Sequence, residues 1–169
     1  YAKAPAYTIH KYIYRQDKLG AEAFSLSFNP HHHTLFIIDE ASMISSERDN
    51  ATFGTGVLLN DLIKYVYSGE GCSMLLLGDD AQLPPVGESV SQALNADFFT
   101  GKGLKVMQAG LREVLRQTGD SVILKNAMQI RNLLDSEKRN RMVFDEKEGD
   151  VECLPAHELL HKYMYERTQ

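Results

Sequence analysis

The sequence predicts an α/β fold built on a parallel sheet, and three observations carry that reading. Two apolar runs, LFII at 35–38 and SMLLL at 73–77, each end in acid, within LFIIDEAS and SMLLLGDDAQLPPVG. Continuous runs of β-forming residues mark strands buried on both faces of a parallel sheet. Between them, Val57, Leu58, Leu62, Val66 and Tyr67 recur at helical spacing, with Asp61 and Lys64 on another face and Gly69 and Gly71 as stop signals. A strand, a helix and a strand of this length make a right-handed crossover, which requires the two strands to be parallel.

The other elements follow in chain order. Residues 7–14, with Tyr7, Ile9 and Tyr12 to Tyr14 after Pro5, are compatible with a short helix or a short strand. Phe24, Leu26 and Phe28 alternate with small polar residues in FSLSFNP, a period-2 strand closed by Asn29 and Pro30, so a small β-hairpin insertion is expected within 15–33. Pro84 and Pro85 interrupt regular structure. SVSQALNADFF then predicts a short helix and LKVMQ a third strand. Val122, Ile123, Ala127, Ile130 and Leu134 form an amphipathic stripe, with Asp120 or Ser121 placed to cap its first turn. Residues 1–138 read as part of one domain. Residues 139–169, a charged stretch followed by VECLPAHELLHKYMY, read as a connector and the start of a second domain. The chain opens on Tyr1 in mid-pattern, so it is expected to be an interior fragment.

Composition narrows the function classes. With 169 residues, 43% hydrophobic and 24% charged, the chain can bury one sizeable core with an appendage. A formal charge of −5 argues against wholesale coating of nucleic acid, while a local basic groove can exist on an acidic body. Cys72 and Cys153 stand far apart with no CxxC or Cys/His spacing, which indicates neither a disulfide framework nor a zinc site and fits a cytoplasmic protein. No run approaches the roughly 20 apolar residues that cross a bilayer, and no signal peptide opens the chain. Three consecutive imidazoles, His31 to His33, do not readily converge on one ion and read as an exposed turn. TGKG at 100–103 is not a phosphate loop, because Ala96 stands where GxxxxGK[ST] needs glycine and Gly103 where it needs a hydroxyl.

The two acidic strand ends carry the chemistry. In open α/β sheets ligands bind outside the carboxyl ends of the strands, where Asp39, Glu40 and Asp79 emerge. Mg²⁺ accompanying a nucleoside triphosphate takes one or two protein carboxylates plus phosphate oxygens and keeps several waters, so Asp39 is a candidate ligand acting through water. A neighbouring carboxylate, Glu40, is placed to orient or deprotonate an attacking water, since phosphoryl transfer is mostly positioning and electrostatic stabilisation. A DE pair also caps helices with no catalytic role. GDDAQLPPVG adds Gly78 for a tight turn, Asp79 at the strand end, and the Gln82 amide, able to reach both a phosphate oxygen and another domain. A plain proline turn explains Pro84 and Pro85 but gives no reason for Asp79 and Gln82.

LFIIDEAS resembles the Walker B motif, and GDDAQLPPVG resembles motif III, of RecD-type superfamily 1 DNA helicases, the family of the exodeoxyribonuclease V alpha subunit. LREVLRQTGDSVILKNAMQIR at 111–131 is similar to the segment carrying motif IV. The resemblance covers roughly residues 7–135. It implies a RecA-like P-loop NTPase sheet with flanking helices, incomplete here because no Walker A loop lies in the sequence. It further implies that ATP and Mg²⁺ are cofactors, that Asp39 helps hold Mg²⁺, and that Glu40 activates the hydrolytic water. By the same resemblance Gln82 senses the γ-phosphate and couples it to motion, and Gly78 and Asp79 belong to the nucleotide-binding set. Arg116 contacts the γ-phosphate, a role suited to a planar guanidinium, whose alternative is a solvated arginine beside Arg112. Thr8 and His10, in YTIHK, resemble a segment that lies along single-stranded DNA, the alternative being a threonine that caps a helix. FSLSFNP stands where the family carries a hairpin that helps split the duplex.

The resulting expectation is part of an ATP-dependent DNA helicase that translocates on single-stranded DNA and opens duplex junctions in repair or recombination, inactive as a fragment, with nuclease or repair subunits as partners. Two alternatives stay open: a P-loop ATPase that remodels something other than DNA, and a non-enzymatic interaction domain derived from an ATPase. Clustered carboxylates also raise a two-metal nuclease, against which the resemblance argues.

Overall fold

The acid-tipped apolar runs do pair as parallel strands. The computed structural model describes residues 5–16, 24–48, 53–111, 121–134, 144, 151 and 154–158. The chain divides into two compact units, 1–109 and 110–169.

In the first unit, α1 (Ile9–Ile13) runs directly into β1 (Tyr14–Gln16), which pairs antiparallel with β2 (Phe24–Leu26), Tyr14 opposite Leu26 and Gln16 opposite Phe24. The ambiguous segment 7–14 is therefore mostly a single helical turn, and the expected hairpin begins at Tyr14. β3 (Leu35–Ile38) pairs parallel with β4 (Ser73–Leu76), in the register Leu35 to Ser73 through Ile38 to Leu76. α2 (Leu58–Tyr67) makes the crossover between them.

The helical stripe explains the packing. Leu59, Leu62, Tyr65 and Val66 of α2 are buried with Ile13, Ile38, Ala41 and Phe99, and Phe36, Met74 and Leu76 face the same core. Each such aliphatic side chain contributes about 1.5–3 kcal/mol relative to exposure. The opposite sheet face differs from the sequence reading: Leu35 is 54% and Ile37 63% exposed, and Leu75 and Leu77 are exposed as well. The runs are continuous in hydrophobicity, yet only alternate residues are covered among the described residues.

Three further expectations are corrected. Asp61, set by spacing on another face than the apolar stripe, is 1% exposed and accepts hydrogen bonds from Tyr14 Oη (2.8 Å), Thr55 N (2.9 Å) and Thr55 Oγ1 (2.9 Å). A buried carboxylate is tolerable because donors surround it. LKVMQ forms no strand: Leu104 and Val106 pack against the core, Met107 is wholly exposed, and none of the described strands pairs with the run. SVSQALNADFF divides into a 3₁₀ turn, Gln92–Leu94, and α3 (Ala96–Thr100), capped by Asn95 Oδ1 accepting from Asp97 N at 3.0 Å.

The histidine turn is only partly exposed. His32 and His33 face solvent, but His31 shares a 2.9 Å hydrogen bond with Tyr12 Oη and stacks on its ring. Asn29, buried beside it, donates to the carbonyls of Tyr65 and Val66 and so closes the C-terminal end of α2. In the second unit, α4 (Val122–Leu134) begins on Ser121, whose hydroxyl accepts from Leu124 N at 3.3 Å. No helix among the described residues is long and apolar enough to cross a membrane.

Candidate functional site at the carboxyl ends of the parallel strands

The parallel ladder continues past β3 and β4 and then breaks at one residue. Leu77 N donates to Ile38 O at 2.9 Å, as regular pairing requires. The next bond should run from Glu40 N to Leu77 O; instead Ala41 N donates there at 2.8 Å. Glu40 is the extra residue, held at φ 52° and ψ 39° in the left-handed region. Its own N–H is taken by Asp39 Oδ1 at 3.0 Å. A non-glycine residue there carries a cost of about 1–2 kcal/mol, and such strain concentrates where a side chain must be aimed for a purpose. Both Asp39 and Glu40 are exposed at the sheet edge.

Directly after them, Ala41–Met43 form a 3₁₀ turn whose Ala41 and Ser42 are buried, with Met43 N donating to Glu40 O at 3.2 Å. Gly78 faces this turn. A Cβ at Gly78 would lie 2.9 Å from Ser42 N and 3.0 Å from Leu94 Cδ2. Its backbone is not left-handed, so glycine is required here by close approach of two loops rather than by a tight turn.

The loop after β4 is ordered by its own acid. Asp79 Oδ1 accepts from Ala81 N at 3.0 Å, and Gln82 N donates to Asp79 O at 3.1 Å, so Asp79 shapes the turn that presents Gln82 to solvent. A hollow of about 250 Å³ lies between the two loops, lined among others by Ser42, Asp79, Asp80, Gln82, Ser91 and Asn95. Asp39 and Glu40 follow β3 and Gly78, Asp79 and Gln82 follow β4, so the five lie at one sheet end, although Asp39 and Glu40 do not line the hollow.

A further contact there has no counterpart in the sequence reading. Glu88 Oε1 accepts from Ser45 Oγ at 2.7 Å and Ser46 N at 2.8 Å, and Oε2 accepts from Ser46 Oγ at 2.7 Å. Partial burial alone would raise this carboxyl, but hydrogen bonds from Ser45, Ser46 and Glu47 outweigh it and hold Glu88 below its ordinary range. The detectable signal was an acid just past PPVG together with a serine pair just past DEASM.

Thr8 and His10 sit on α1 instead. Thr8 is the N-cap residue and its side chain makes no cap bond, so capping does not explain it. His10 is exposed and its ring meets Tyr14 and Phe53. Arg116 lies outside the described residues. Among those described, no group of three or more His, Cys, Asp or Glu is placed to share an ion without another ligand. Asp39 offers a hard, exposed carboxylate at the strand end, the donor type Mg²⁺ takes when phosphate and water complete its shell. The chain's own residues fit that partial role.

No curated protein and no solved structure matches the chain significantly. A family model described as AAA domain matches residues 2–154, nearly the whole chain. With its parallel sheet and acidic strand ends, the chain belongs to this AAA domain family, a family of P-loop ATPases that includes RecD-like helicases.

Proposed function

We propose that the chain is part of an ATP-dependent DNA helicase that couples ATP hydrolysis to movement on single-stranded DNA and to opening of duplex junctions. The observation that carries this reading is the junction of two loops at one sheet end: the strained Glu40 on one, and Gln82 on the rigid Leu83-Pro84-Pro85 path of the other. Contact at Gly78 and Ser42 lets a shift of either loop reach its neighbour. Asp39 and Asp79 supply the carboxylates for a magnesium–nucleotide complex, which provides the scissile phosphoanhydride. Glu40 is the general base for water in this reading, its left-handed backbone setting it outside the ladder that Ala41 N rejoins at Leu77 O. Gln82, exposed beyond the turn that Asp79 fixes, is the group that reads the terminal phosphate and passes its loss onward.

Arg116 is assigned the charge-stabilising role in the same reaction, and Thr8 and His10 a place along the DNA backbone. No GxxxxGK[ST] loop occurs in the 169 residues, so the reading requires a phosphate-cradling loop from sequence outside them. A repair or recombination setting with nuclease partners belongs to the same proposal.

The test is strand displacement by the protein containing this chain, on a forked duplex with a single-stranded tail. ATP-dependent displacement of the labelled strand is the expected result. ATP hydrolysis with no displacement, indifferent to DNA, would instead identify a P-loop ATPase that works on another substrate.

A further inference from the structure

The clasp at Glu88 joins the two loops that the proposed function needs to move together. Both oxygens of the carboxylate are occupied by Ser45 and Ser46, and Glu47 N adds a longer contact at 3.4 Å. Local hydrogen bonds link the clasp to both loops. On one, the 3₁₀ turn Ala41–Met43 ties Ser45 to Glu40, with Ile44 N donating to Ala41 O at 3.1 Å. Ser45 O in turn accepts from Leu59 N at 3.1 Å, anchoring the loop to the start of α2. On the other, Pro84 and Pro85 have fixed φ, and Glu88 N donates to Pro85 O at 3.0 Å, leaving little slack between Gln82 and the clasp. Charged acceptors with several donors make the stronger class of hydrogen bond.

We propose that Glu88 is a positioning residue: through Ser45 and Ser46 it transmits displacement of the Gln82 loop to the placement of Glu40. This rests on the proposed ATPase reading. A merely structural clasp would hold the loops together without affecting turnover. A transmitting one must change turnover while leaving nucleotide affinity in place, because Glu88 is not among the residues proposed to hold the nucleotide.

The experiment compares wild type, Glu88→Ala, Glu88→Gln and Ser46→Ala in the protein that carries this chain. Amide hydrogen exchange at 45–47 is read together with kcat and KM for ATP, with and without single-stranded DNA. Expected for Glu88→Ala are faster exchange at Ser46 and Glu47, a fall in DNA-stimulated kcat of about tenfold to a hundredfold, and KM within about threefold of wild type. Glu88→Gln, which keeps an acceptor oxygen, and Ser46→Ala, which keeps the backbone N–H, should fall between and remain usable if Glu88→Ala does not fold. Faster exchange with unchanged kcat overturns the proposal, as does unchanged exchange. Absence of hydrolysis in the wild type removes the ATPase reading itself and is seen before any variant is compared.

Discussion

Glu40 has a backbone that glycine would adopt more readily, in a sequence that gives no local hint of it. Replacing it with glycine relieves about 1–2 kcal/mol of left-handed strain against an entropic cost of about 0.5–1 kcal/mol in the unfolded chain. Glu40→Gly is therefore expected to unfold at the wild-type temperature or slightly above while ATP hydrolysis is lost, measured by thermal scanning and steady-state kinetics. A drop in melting temperature of several degrees would show that the left-handed backbone is not strained. Gly78 gives the opposite case. A Cβ there meets backbone rather than a flexible side chain, Ser42 N at 2.9 Å, so Gly78→Ala is expected to destabilise by about 1–3 kcal/mol in urea titrations. The sequence marked Gly78 as special for the right position and the wrong reason, since spacing cannot show which loop passes overhead. The place of Asp39, Asp79 and Gln82 just beyond the two strands was legible, because an apolar run of β-forming residues marks where a parallel strand ends. Glu88 was not, because its partners lie across a sequence gap that no periodicity spans.

The helix–strand pair α1–β1 is fastened to α2 by one buried carboxylate. Asp61→Ala would leave Tyr14 Oη and two Thr55 donors without their acceptor, at a cost of about 3 kcal/mol, while Asp61→Asn should recover part of it. Chemical denaturation of both variants measures this, and near-equal stabilities of wild type and Asp61→Ala would contradict it. Burial, then the hydrogen bond to Asp61, pushes the Tyr14 phenol well above its ordinary value, so the tie holds throughout the neutral and mildly alkaline range. Helical spacing placed Asp61 with Lys64 on another face than the apolar stripe because periodicity registers polarity and not satisfied burial. LKVMQ misled in a similar way: its place after a helix suggested a third strand, but a strand exists only where a neighbour offers its ladder. Glu88 ties the loops after β3 and β4 with a pH dependence of definite sign. Its carboxyl is lowered from 4.5, so its contribution is full above about pH 4.5 and is lost as pH falls through the lower folded value. Glu88→Gln should flatten that part of the acid limb in a plot of stability against pH; an unchanged limb would contradict the assignment.

Over the molecule as a whole, the parallel sheet is the feature read most directly from sequence, and its coverage the least. Leu35, Ile37, Leu75 and Leu77 lie on a face left partly exposed, on a sheet type that ordinarily buries both. Exposed apolar surface of this kind favours association. The 169-residue chain is expected to self-associate at micromolar concentration and an Ile37→Lys, Leu75→Glu pair to sediment as monomer without loss of melting temperature. Unchanged sedimentation would show that the face is not adhesive. What the sequence could not convey is which residues close distances across loops, and the proposed coupling of Glu40 to Gln82 depends on such distances. The most direct measurement is steady-state ATP hydrolysis by the protein carrying this chain, with and without single-stranded DNA, beside Glu40→Gln. DNA-stimulated hydrolysis that Glu40→Gln loses by a hundredfold or more, on the order expected for removing a general base, with nucleotide binding retained, is the result this account requires. Full activity in Glu40→Gln, or hydrolysis that DNA does not alter, would contradict it.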